Sequence, residues 1–323
     1  MKNGSPTPVV VTPPQQQVRS ARSVNETWRG SLKYLMASLP LVGPALLLLY
    51  RLRIALGYFS GPLREVALWL VRSKETTNWT YNLERTNTCY LAAFLAEITS
   101  ASYGEMNAYI EEIEGDEKLR THITDAVTAS ARSMISDREV RYGRRVGWYV
   151  LVRTVKPKIV VETGVDKGLG ACVITAALLK NRAEGYPGDY YGTDSNPSAG
   201  ELLCGEYATC GRVLYGDSIE SLRKLDTIID LFINDSDHSA EYEEREYQTI
   251  ERRLSNRAII VGDNCHETDK LLTFALATGR RFLFFHERPA RHWYRGGGIG
   301  VAFRRERDDG NGTDENARTL RSP

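Results

Sequence analysis

Ile159-Val160-Val161-Glu162-Thr163-Gly164-Val165-Asp166-Lys167-Gly168-Leu169-Gly170-Ala171 opens with an apolar run at residues 159–162 that reads as a short strand. A glycine-bearing turn follows, then a helical pattern over residues 171–180. Glycines in such a turn permit tight backbone geometry and close approach by a ligand. The same grammar repeats downstream, with strand-like runs at 189–193, 212–215, 229–233 and 258–261 and a helical pattern at 240–253. Strands separated by helical stretches predict right-handed crossovers and a mostly parallel sheet covered on both faces. Two further β-rich runs, 281–286 and 300–304, are joined through Gly296-Gly297-Gly298 and predict a terminal hairpin whose last strand runs antiparallel.

Working backwards from the first strand, Pro157 ends a helix predicted over residues 143–155, because proline cannot continue one. Residues 82–132 place Leu91, Phe94, Leu95 and Ile98 on one helical face. Further upstream, Tyr34 to Tyr50 is a charge-free stretch interrupted by Pro40, Gly43 and Pro44 and flanked by Arg29, Lys33, Arg51 and Arg53. It is too short and too broken for a spanning helix and begins too deep for a signal peptide. The plain reading is a helix over 45–58 packed on the protein or on a partner chain, with a homo-oligomer as one outcome. The sharper reading is a peripheral membrane contact through residues 29–58. Residues 1–80 hold ten Lys or Arg against three acids, a net of +7 that suits an anionic surface. The expected organisation is a disordered arm at 1–24, an apolar cationic segment at 25–72, a helical accessory or lid region at 73–142, an α/β domain at 143–305 and a disordered tail at 306–323.

The chain has 323 residues, with 42 Lys plus Arg against 41 Asp plus Glu, so its charge gives no global reason to bind nucleic acid. The length favours two domains over one. Its five cysteines, Cys89, Cys172, Cys204, Cys210 and Cys265, contain no CxxC pair, which argues against a zinc site or a disulfide framework and for a cytoplasmic location.

In an open parallel sheet the ligand lies outside the carboxyl ends of the strands, so the residues that follow each strand are the informative ones. Asp194, in Gly192-Thr193-Asp194, is placed to accept both hydroxyl protons of a ribose. Asp217, in Gly216-Asp217-Ser218, is placed to receive an exocyclic adenine amine. Asp235, Asp263 and Asn264 follow two further strands and offer three oxygen ligands to a hard divalent cation such as Mg²⁺. His238, three residues after Asp235, is a candidate base near neutral pH. Each has a plainer reading: Asp235 or Asp237 as a helix cap, Asp263-Asn264 as a turn. His122, His266, His286 and His292 have weaker cases. Trp79, Tyr81 and Trp293 are candidate aromatic contacts, with packing as their first reading.

Val160-Val161-Glu162-Thr163-Gly164, Gly192-Thr193-Asp194, Gly216-Asp217-Ser218 and the late hairpin together resemble the class I S-adenosylmethionine-dependent methyltransferases, with their Rossmann-like α/β sheet. Asp235 followed by Asp263-Asn264 is similar to the metal triad of catechol and caffeoyl-coenzyme A O-methyltransferases. Residues 232–239 more closely resemble the sugar O-methyltransferases of macrolide biosynthesis. Asp166 and Lys167 depart from the small residues usual in the first turn, and His238 stands where the catechol enzymes have a lysine. The resemblance implies methyl transfer from S-adenosylmethionine to a hydroxyl oxygen of a small molecule or sugar. It implies cofactor contacts from Glu162, Gly164, Asp166, Gly168, Asp194, Asp217, Ser218 and Asp235. It also implies a cation on Asp235, Asp263 and Asn264, with Asp235 and His238 as the catalytic pair. The competing expectations are a nicotinamide-dependent oxidoreductase and a non-catalytic membrane-associated protein that retains the fold.

Overall fold

The computed structural model describes residues 43–76, 80–263 and 265–305. The arm, the tail, most of the basic apolar stretch before Gly43, Trp79 and Asn264 lie outside the described residues. The chain divides into two compact units, Met1–Arg64 and Glu65–Pro323. Helix α1 (Gly43–Arg72) begins in the first and ends in the second. It runs past the expected end at residue 58, continuing through Ser60-Gly61-Pro62, which local propensity reads as a stop. No described helix is long and apolar enough to cross a membrane.

The second unit is built on a seven-stranded sheet. Its strands are β1 (Ile159–Thr163), β2 (Asp189–Asp194), β3 (Gly211–Tyr215), β4 (Ile229–Asn234), β5 (Leu254–Gly262), β6 (Arg281–His286) and β7 (Gly298–Phe303). The spatial order is β3-β2-β1-β4-β5-β7-β6. Strands β1 to β5 pair in parallel, and β7 runs antiparallel to both β5 and β6. The predicted α/β class, the crossovers and the reversed terminal strand are all present.

Strand alternation sends successive side chains to opposite faces. Val160, Leu231, Ile233, Ile259, Val261 and Val301 join one apolar cluster; Val161, Phe232, Ile260 and Ala302 join the other. The first cluster is covered by α5 (Arg145–Val155) and α6 (Leu169–Ala183). The second is covered by α7 (Ser218–Lys224), α8 (Ala240–Ile250) and α9 (Lys270–Ala277) through Leu222, Tyr247, Ile250, Leu271 and Phe274. Helices α7 and α9 span only about two turns each and carry too little apolar periodicity to be read from sequence.

The accessory helices are α2 (Arg85–Thr99), α3 (Tyr103–Glu114) and α4 (Glu117–Ala129). Their apolar faces, including Leu91, Leu95, Met106, Ile113 and Leu119, belong to the same cluster as α5 and the sheet. The segment before α2 is stitched to the β6–β7 loop. Glu84 N–H donates to the Arg288 carbonyl at 2.8 Å, Ala290 N–H to the Asn82 carbonyl at 2.7 Å, and the Asn87 amide to the His286 carbonyl at 3.0 Å.

Because this core is continuous, Leu95→Ala is expected to destabilise the sheet along with α2, by about 2–5 kcal/mol. Urea unfolding followed by tryptophan fluorescence and far-ultraviolet dichroism should give one shared, shifted transition; two separate transitions would contradict a shared core.

Candidate functional site

The parallel strands end in register, so their following residues share one rim. Thr163 pairs with Thr193 and Asn234, Asp194 with Tyr215, and Asn234 with Gly262. The hydrogen-bond ladder continues one step beyond the strands: Gly164 N–H to the Thr193 carbonyl, Gly216 to Asp194, Asp235 to Thr163 and Asp263 to Asn234, each at 2.9 Å. A cavity of about 640 Å³ opens on this rim and is lined by Glu162, Gly164, Asp166, Asp194, Asp217, Ser218, Asp235, His238, Tyr242 and Arg144. Sequence reasoning had placed eight of these together; Arg144 and Tyr242 were not foreseen.

The turn after β1 explains the glycine there. Gly164 has φ +83°, and a Cβ on it would lie 1.9 Å from the Asp235 carbonyl oxygen. Asp166 also takes a positive φ of +46°, a conformation that Asp tolerates better than most residues. The turn is fastened from below by Asp194, whose Oδ2 accepts the N–H groups of Val165 at 3.1 Å and Asp166 at 2.9 Å. Its Oδ1 accepts the Asn196 N–H at 2.8 Å. Asp194 therefore shapes the cavity as well as lining it.

Beneath the turn Glu162 is buried, with the Tyr190 hydroxyl donating to it at 2.5 Å. Burial pushes its carboxyl up to about 7, against the opposing effect of the Tyr190 hydrogen bond. Gly170 makes room for this group, since a Cβ there would meet Glu162 Oε1 at 2.4 Å and Trp148 at 2.6 Å.

Asp217 caps α7 by accepting the Glu220 N–H at 2.9 Å, and it also accepts the Tyr242 hydroxyl at 2.9 Å. These bonds, the backbone one first, hold its carboxyl below the usual range. Ser218 turns inward and donates to Glu246. That buried carboxylate also accepts from Thr163 at 3.1 Å, from Ser236 at 2.8 Å and from the Asn234 amide. Glu246 joins β1, β4 and α7, and no strand-end rule singles it out because it lies within α8.

Asp235 and Asp263 come together, as their strand ends require, close enough for their carboxyl groups to hydrogen-bond, and a guanidinium lies against the pair. Arg144, 4% exposed, pairs with Asp263 through Nε and Nη2, and its Nη2 lies 3.8 Å from Asp235 Oδ2. Arg144 Nη1 donates to the Tyr81 hydroxyl at 3.0 Å, and Tyr81 in turn donates to the buried Glu287. Burial, reinforced by the Asp263 charge and opposed by Arg144, holds the Asp235 carboxyl well above the ordinary carboxylate value. Among the described residues no group of three or more His, Cys, Asp or Glu side chains is arranged to hold a metal ion. The expected Mg²⁺ site on Asp235, Asp263 and Asn264 does not fit this arrangement: Asp263 is already ion-paired with the permanent positive charge of Arg144, which also lies 3.8 Å from Asp235. Asn264 lies outside the described residues.

His238 is exposed and sits on the cavity wall. Three other histidines have structural side-chain contacts: His122 Nε2 lies 2.9 Å from the Leu202 carbonyl, and His292 accepts the Tyr294 N–H at 3.0 Å. His266 accepts the Gly298 N–H at 3.3 Å. Trp293 packs edge-on against Trp69 at 5.4 Å.

A family model described as a methyltransferase domain matches residues 161–265. No curated protein matches the chain. Among solved structures, the chain is similar to a Podospora anserina methyltransferase bound to S-adenosylhomocysteine, at 16% identity, covering 58% of this chain and 88% of that one, with a TM-score of 0.42. It is also similar to an O-methyltransferase of tomaymycin synthesis from Streptomyces achromogenes in complex with S-adenosylmethionine, at 16% identity, covering 56% and 88%, with a TM-score of 0.43. A third similar structure is an O-methyltransferase from Bacillus cereus with S-adenosylhomocysteine, at 12% identity, covering 57% and 91%, with a TM-score of 0.43. Residues 161–265, which carry the strand-end motifs of a mostly parallel sheet closed by a reversed β7, match a methyltransferase domain.

Proposed function

We propose that this protein transfers the methyl group of S-adenosylmethionine to a hydroxyl oxygen of a small molecule or sugar. The observation that carries the reading is the single cavity in which Asp194, Asp217, Asp235 and His238 meet beside the glycine turn. Asp194 takes the ribose hydroxyls, and Asp217 with Ser218 borders the adenine. Glu162, Gly164 and Asp166 face the methionine end, while Gly168 does not line the cavity and instead packs its backbone against Gly200. The acceptor oxygen lies toward Asp235 and His238. His238 removes the hydroxyl proton while the oxygen attacks the methyl carbon in line with the sulfur. A new C–O bond forms, the S–C bond breaks, and its electron pair returns to sulfur to give S-adenosylhomocysteine. The proton then leaves the imidazolium for solvent. A metal is not required for this electron and proton balance.

A nicotinamide-dependent oxidoreductase accounts neither for the reversed β7 nor for the family match. A peripheral membrane contact through residues 29–58 is a compatible addition, supported by exposed Leu48, Leu49 and Leu52 beside Arg51 and Arg53 on α1.

Three measurements test these readings. S-adenosylhomocysteine, and not NAD, should raise the melting temperature, and Asp194→Ala should abolish that shift; stabilisation by NAD alone would overturn the methyltransferase assignment. Glu162 has a folded pKa of about 7 against an ordinary 4.5, so its favourable contribution is full below about 4.5 and is lost as pH rises through about 7. The lost stabilisation amounts to about 3 kcal/mol. Glu162→Gln should flatten the stability profile across that window relative to the unaltered chain. The full-length protein should float with anionic vesicles more than with neutral ones, and Leu48→Glu with Leu52→Glu should weaken this; equal flotation of all samples removes the membrane contact.

A further inference from the structure

Two strand-end aspartates that face one another at close range need a shared proton or a cation beside them, and in this protein the chain sets a cation of its own against the pair. Arg144 is the residue just before α5, so a buried helix fixes its position, and its guanidinium is 4% exposed. It is held on three sides: by Asp263 through two nitrogens, by the Tyr81 hydroxyl at 3.0 Å, and by the 3.8 Å approach to Asp235. Tyr81 is anchored by Glu287, and its segment by the backbone bonds to the β6–β7 loop. Moving the guanidinium away would leave a buried carboxylate unpaired, which is strongly unfavourable. Bringing a divalent cation in beside it would set like charges in contact in a poorly solvated place.

We propose that Arg144 is a built-in cation that replaces the divalent metal in this rim, making it a positioning residue for the acceptor side of a metal-independent transfer. The proposal rests on the methyltransferase reading above and deepens it. It also narrows the substrate class. A metal ion offers open coordination positions to two neighbouring oxygens, whereas a guanidinium committed to Asp263 and Tyr81 does not. The acceptor therefore needs one hydroxyl rather than a chelating pair such as a catechol or a vicinal diol.

The experiment titrates Mn²⁺ into the full-length, EDTA-treated protein, followed by electron paramagnetic resonance and calorimetry, alongside S-adenosylhomocysteine binding with and without EDTA. The expected result is no saturable manganese site in the unaltered protein and cofactor-product binding indifferent to EDTA. Arg144→Met should free the two carboxylates and create a manganese site, which Asp235→Asn in the same background removes. Arg144→Lys, which keeps the charge, should stay metal-free. A purely structural role for Arg144 would not produce this gain of metal binding. A stoichiometric manganese site in the unaltered protein that Asp235→Asn abolishes overturns the proposal, as does a folded Arg144→Met protein that gains none. Should Arg144→Met fail to fold, the titration of the unaltered protein decides alone. Absence of S-adenosylhomocysteine binding would sink the methyltransferase reading instead, and the manganese titration would still judge Arg144.

Discussion

The contact between Gly164 and the backbone of Asp235 governs the geometry of the rim. With a Cβ-to-carbonyl separation of 1.9 Å, any side chain at 164 would push the turn after β1 away from the loop after β4. These are neighbouring strands, so the displacement would open the ladder where Asp235 N–H meets the Thr163 carbonyl. It would also draw the N–H groups of Val165 and Asp166 off Asp194. A glycine that looks like a generic turn residue thus sets the spacing between the side of the cavity assigned to the nucleoside and the side assigned to the acceptor.

Around that contact the protein buries charges whose main effect is to specify geometry. Glu246 collects hydrogen bonds from Thr163, Ser218, Asn234 and Ser236, tying two strand ends and the start of α7 to α8. Burial raises its carboxyl, and these four bonds oppose the rise. Arg144 plays the corresponding part on the other side of β4, with Asp263, Tyr81 and Asp235 around it. Replacing such pairs with apolar residues could cost little stability, but an apolar cluster would not fix the direction of each oxygen.

The strands were legible because two-sided burial leaves uninterrupted apolar runs, as in Ile159-Val160-Val161 and Leu231-Phe232-Ile233. The strand-end aspartates were legible because the topology of an open parallel sheet says where to look. Short helices α7 and α9 were not, and α1 continues beyond residue 58 through Gly61-Pro62, a pair whose local propensity opposes a helix. Arg144 was invisible for a different reason. Its meaning comes from Asp263, 119 residues away, and at the head of an apolar helix an arginine reads as an ordinary surface cation. The oxygen ligands were legible at the strand ends, and the cation that the residue ahead of α5 sets beside them was not.

The arrangement also divides the labour of the chain. Everything assigned to the cofactor comes from the ends of β1 to β4, which the sheet holds in register. The polar wall beyond Asp263 comes from elsewhere: Arg144 ahead of α5, Tyr81 ahead of α2, and Glu287 after β6. These pieces are joined by backbone hydrogen bonds between residues 82–84 and 288–290 and by Asn87, rather than by the sheet ladder. In the proposed reading this wall borders the acceptor. Main-chain bonds place few demands on side-chain identity, whereas Asn87 and the chain of contacts from Asp263 through Arg144 and Tyr81 to Glu287 fix the side chains that make them. The sheet ladder thus positions the strand-end rim, and the contacts of residues 81–87, 144 and 286–290 position the wall beside it.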